Sequence, residues 1–108
     1  MKNLILAVGA LALAGCMTVP VQGQLERSDE VFTGSATGYL DGGGTLKITS
    51  NKGAVCTGNS VYVNSRQGSG VLKCSDGRTG TYDFVSTGSH GNGYGALDGH
   101  RFTFTFGG

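Results

Sequence analysis

Phe102-Thr103-Phe104-Thr105-Phe106 sets three aromatic rings on one side of an extended chain and two hydroxyls on the other. Side chains of a strand point alternately to its two faces, so this run predicts a half-buried antiparallel strand. Its rings face inward and Phe104, the central one, lies deepest. Shorter stretches of the same kind precede it: Leu46-Lys47-Ile48, Val61-Tyr62-Val63 and Tyr82-Asp83-Phe84. Between them come Asp41-Gly42, Asn51-Lys52-Gly53, Asp76-Gly77 and Asp98-Gly99, residue types that accept the positive φ of tight hairpin turns. Nothing after residue 15 recurs at helical spacing. The expected fold is all-β: a small antiparallel β-meander of stacked hairpins, able to curl into a barrel-like sheet.

The glycines are periodic as well. Gly42-Gly43-Gly44-Thr45-Leu46, Gly68-Ser69-Gly70-Val71-Leu72 and Gly93-Tyr94-Gly95-Ala96-Leu97 all read G-x-G-x-L, and Ala36-Thr37-Gly38-Tyr39-Leu40 is a weaker copy. A repeat of this length suggests hairpins that each need a neighbour to bury a face. The pattern resembles MORN (membrane occupation and recognition nexus) repeats. Gly68-x-Gly70-x-Leu72 followed by Asp76-Gly77 matches the first half of that motif, and Gly53-x-x-Cys56-x-Gly58 matches the second with cysteine in place of tyrosine. The turn offsets vary, and the aromatic expected soon after Gly77 arrives late, at Tyr82. The resemblance implies contact with membranes or proteins and brings no catalytic residues.

The other end of the chain carries an address. Met1-Lys2-Asn3 is a short basic start, and Leu4 to Leu13 is an uncharged apolar run. A bilayer-spanning helix needs about 20 residues, so the run suits a signal peptide instead. It ends in Leu13-Ala14-Gly15-Cys16, which resembles the lipobox of bacterial lipoproteins: an aliphatic residue, two small ones, then cysteine. The resemblance implies cleavage before Cys16 and lipidation of Cys16 with diacylglycerol and an N-acyl chain. Each buried CH₂ contributes about 0.8 kcal/mol, so two or more chains anchor stably. In the Gram-negative lipoproteins that the chain resembles, a cysteine not followed by Asp, as in Met17-Thr18 here, goes with the outer membrane, so the resemblance implies its periplasmic side. The reading divides the chain into a signal peptide (1–15), a lipid anchor and tether (16–30, with the only proline, Pro20) and a glycine-rich β domain (31–108).

Charge and cysteines bound the function. After residue 15, seven basic residues (Arg27, Lys47, Lys52, Arg66, Lys73, Arg78, Arg101) face seven acidic ones (Glu26, Asp29, Glu30, Asp41, Asp76, Asp83, Asp98). They are scattered singly, which offers no basic footprint for nucleic acid. A domain this small gains only about 3–5 kcal/mol from its core, so a staple is expected. Of three cysteines, lipidation takes Cys16 and leaves Cys56 and Cys74 for a disulfide in an oxidising compartment. A hairpin turning at Ser65 opposes those two directly. The competing metal or redox reading would need C-x-x-C spacing or histidines nearby.

Candidate chemistry is sparse. His90 beside Ser89 and His100 beside Asp98 match no catalytic or metal motif and sit at turns. Gly91-Asn92-Gly93-Tyr94-Gly95 and Gly42-Gly43-Gly44 lack the strand–loop–helix setting of a phosphate loop. Tyr39 and Tyr94, each following glycine, are the aromatics expected to be exposed for binding. The reading is therefore a non-enzymatic envelope module without cofactor, held on the membrane by Cys16. Its partner would be an envelope protein, a cell-wall component or another copy of the chain. The alternative is a periplasmic inhibitor of a hydrolase such as lysozyme. Membrane-bound lysozyme inhibitors are similar in length and carry a disulfide-stapled β-barrel, but their tryptophan and S-G-x-x-Y loop are missing here.

Overall fold

The computed structural model describes residues 16–39 and 43–107; the signal-peptide reading of 1–15 lies outside them. Eight antiparallel strands follow one another around a closed barrel: β1 (Cys16–Leu25), β2 (Val31–Tyr39), β3 (Gly43–Ser50), β4 (Val55–Tyr62), β5 (Gln67–Cys74), β6 (Thr79–Thr87), β7 (His90–Leu97) and β8 (His100–Phe106). The meander expected from the alternating runs is thus present, and the pairing of β1 with β8 closes it.

That pairing corrects the expected tether. Residues 16–25 form a full strand, paired along its length with β2 and over Val21–Leu25 with β8. The signal lay in the sequence, because Met17, Val19, Val21 and Leu25 alternate with Thr18, Pro20, Gln22 and Gln24. Pro20 is tolerated because β8 has run out at its level. Its carbonyl accepts the Gly107 N–H at 2.9 Å, and the ring removes a donor where no partner strand continues.

Inside the barrel the alternation sends Val21, Leu25, Phe32, Leu46, Ile48, Cys56, Leu72, Tyr82, Phe84, Leu97, Phe102 and Phe104 into one core. Outside stand polar residues such as Thr33, Lys47, Thr57, Lys73, Asp83 and Thr105, all exposed. Membrane-spanning barrels have the reverse arrangement, apolar outward and polar inward. The hairpin Asp98-Gly99 has both residues at positive φ (50° and 81°), as a two-residue turn between twisted strands requires.

The glycine repeat has a packing cause. On β5 and β7 the inward positions of G-x-G lie opposite inward aromatics of the next strand: Gly70 pairs with Tyr82, Gly93 with Phe104 and Gly95 with Phe102. At Gly70 and Gly93 the facing ring takes the space of a side chain, whereas at Gly95 the Thr81 backbone of the neighbouring strand does. A Cβ added at Gly70 would stand 2.6 Å from the Tyr82 ring, and one at Gly23 would stand 2.8 Å from Phe102. An eight-stranded barrel has an interior just wide enough for side chains. Glycine on one strand makes room for a ring from its neighbour.

Cys56 and Cys74 are directly opposed on β4 and β5 and joined by a disulfide, with their Cα atoms 3.9 Å apart. A closure of this length contributes about 3 kcal/mol in the chain-entropy picture. Phe102 and Phe104 face inward as expected, with Thr103 and Thr105 outward. The deepest ring, however, is Phe102 (1 % exposed) rather than the central Phe104 (5 %), and Phe106 is only partly buried. The barrel is filled at one end and open at the other.

Candidate functional site in the barrel lumen

At the filled end, Phe32 and Phe102 pack edge to face with ring centres 5.3 Å apart. Beneath them an ion pair crosses the barrel. Glu30, just before β2, and Arg78, just before β6, belong to strands on opposite sides of an eight-stranded ring. Arg78 donates two hydrogen bonds to the Glu30 carboxylate, Nη1 to Oε1 and Nη2 to Oε2, both 2.8 Å. Ser50 Oγ donates a third to Oε2. Asp76 steadies the guanidinium through Nε at 2.9 Å. These bonds outweigh the cost of burial and hold the Glu30 carboxyl down at about 2, while the carboxylate raises the Arg78 pKa in turn. The pair bolts the bottom of the barrel. Sequence reading missed it, since the partners are 48 residues apart and each reads as an ordinary turn charge.

At the other end, where β1 begins, the lumen is not filled. A cavity of about 370 Å³ lies between an aromatic wall and a wall of small residues. Tyr62, Phe84 and Phe106 form the aromatic rim: the Tyr62–Phe84 ring centres are 5.2 Å apart and the Phe84–Phe106 centres 6.0 Å, both edge to face. Tyr82 and Phe104 meet edge to face at 5.7 Å below them. The facing wall comes from Val19, Ala36, Gly38, Gly44 and Leu46 on β1, β2 and β3. A Cβ built on Gly38 would meet nothing within 4 Å, so the small residues leave real space. Mouth residues such as Met17, Thr45 and Ser89 are exposed, whereas Leu46, Tyr82 and Phe104 beneath are buried.

Among the described residues the lining contains no charged side chain and one unsatisfied polar atom. Tyr82 is 3 % exposed and its hydroxyl has no hydrogen-bond partner. Burial pushes its pKa up; Ser60, also on the cavity wall, stands near enough to oppose that rise, though not in hydrogen-bond geometry. A buried hydroxyl without a partner costs about 1–3 kcal/mol.

The residues singled out from sequence are spread around the barrel. Cys16 opens β1 at the mouth end and Tyr39 closes β2 beside it; the side chains of both lie outside the described residues. Tyr94 is exposed as expected, but on the outer surface, where the Arg101 guanidinium covers its ring at 5.9 Å from the centroid. His90 begins β7 at the mouth end and His100 begins β8 at the bolted end, both exposed and apart. Among the described residues no three His, Cys, Asp or Glu side chains cluster as a metal would need. Tyr62, Tyr82 and Phe84 were legible in sequence as members of alternating strands but not as cavity walls. Compared with known protein families, curated proteins and solved structures, the chain matches none.

Proposed function

We propose that this chain is an envelope lipoprotein, anchored through Cys16 to the periplasmic face of the bacterial outer membrane, whose barrel is a non-enzymatic binding module working through the open lumen. The observation that carries the binding half is the aromatic-walled cavity, without a charged side chain among the described residues, with exposed mouth and buried floor. Its volume lies within the roughly 300–1,000 Å³ of small-molecule pockets. The anchor half is supported by Leu13-Ala14-Gly15-Cys16 at the end of the apolar run. The two halves fit together: β1 starts at Cys16 and Met17 already lines the mouth, so lipid on Cys16 brings the opening against the membrane with no tether between.

Replacing Cys16 with Ser is expected to abolish palmitate incorporation, block lipoprotein signal-peptidase cleavage and change membrane fractionation. Undiminished palmitate labelling of the Cys16→Ser chain refutes the anchor.

A further inference from the structure

We propose that the lumen takes one neutral carbonyl-bearing lipid, its carbonyl oxygen accepting a hydrogen bond from the Tyr82 hydroxyl and its apolar tail leading out through the mouth. The inference deepens the reading of the barrel as a binding module and rests on it, but it does not depend on the anchor.

Three observations define the ligand. First, no charged residue lines the cavity among the described residues, and an ionised head buried beside Tyr82 would have no counter-charge there, so carboxylates and phosphates are disfavoured. Second, the Tyr82 hydroxyl is a buried donor without an acceptor, with Ser60 beside it on the wall. A ligand oxygen at that level relieves the penalty, whereas a pure hydrocarbon leaves it in place. Third, the acceptor site lies below the rim rings Tyr62, Phe84 and Phe106, so the polar end enters first and the tail remains at the opening. The rings favour a flat or slender head, which they can contact edge or face on. Space for it is present beside Gly38.

All eight strands and the closing β1–β8 pairing lie within residues 16–107, so residues 16–108 carrying Cys16→Ser hold the whole barrel. That protein is titrated with the uncharged dye N-phenylnaphthylamine, and the bound dye is displaced with decylubiquinone, monoolein, hexadecane and palmitate. At least one of the two neutral carbonyl lipids is expected to displace the dye about tenfold more effectively than hexadecane and palmitate, the worth of one net hydrogen bond. Tyr82→Phe keeps the dye site and is expected to remove that preference. Gly38→Phe, which grows into open space, is expected to lose dye and lipid alike at an unchanged melting temperature. Equal displacement by hexadecane, or a preference that survives Tyr82→Phe, overturns the ligand class and leaves the binding module standing. Dye binding that survives Gly38→Phe moves the site out of the lumen and overturns the proposal. No dye or lipid binding to the folded wild-type barrel overturns both the ligand and the module.

Discussion

The two ends of the barrel are built from the same alternating strands and come to opposite solutions. At the bolted end the lumen is packed solid by Phe32, Phe102, Ile48 and the disulfide, and Glu30 and Arg78 meet across it. At the mouth the aromatic wall faces Ala36, Gly38 and Gly44, and no side chain of the described residues fills the gap. Both ends bury a polar group, but one is fully partnered and the other has no partner. A charge held by three hydrogen bonds fixes a geometry, whereas a buried hydroxyl without a partner does not. The contrast teaches that, within one small fold, the packed core and the open lumen are drawn from different ends.

The sharpest way to break this comparison is to remove one ring at each end. Phe102→Ala opens a hole in packed core and is expected to cost about 3–5 kcal/mol, enough to unfold the domain or nearly so. Phe106→Ala, at the partly open rim, is expected to cost about 1 kcal/mol, because much of its surface is already in reach of water. Denaturant unfolding of the two variants measures the difference directly. Similar losses would mean that the mouth is packed as tightly as the base.

A smaller effect should follow pH. The folded-state pKa of Glu30 lies at about 2, below its ordinary 4.5, so its contribution is complete above pH 4.5 and is lost as pH falls through 2. The loss is expected to reach about 3 kcal/mol across that window. Melting curves of the wild type should fall there, while Glu30→Gln should start lower and stay flatter. A wild-type curve no steeper than that of Glu30→Gln would remove the bolt from the account.

The smallest change serves as the control for facing. Thr103 lies on the exposed outer surface between the two ends, and Thr103→Ala is expected to change stability by less than about 0.5 kcal/mol. A loss approaching that of Phe102→Ala would invert the orientation of β8.

The period-two runs, the Asp98-Gly99 turn and the symmetric placing of Cys56 and Cys74 about Ser65 were readable because each is a local rule: side-chain alternation, backbone conformation and hairpin register act within one or two strands. The strand Met17–Leu25 was readable by the same rule, but Pro20 and the lipobox-like Leu13-Ala14-Gly15-Cys16 argued for a tether; only the site where β8 ends shows why a proline fits. The G-x-G-x-L repeat announced hairpins, whereas the reason for Gly68, Gly70 and Gly93, rings set against them from the next strand, required the register. Closure of the ring, the pairing of Glu30 with Arg78 across it, the depth of Phe102 relative to Phe104, and the cavity with its unpartnered Tyr82 were decided by tertiary structure alone. These depend on which residues meet across a barrel, and side-chain alternation fixes only whether a residue faces inward, not what it will find there.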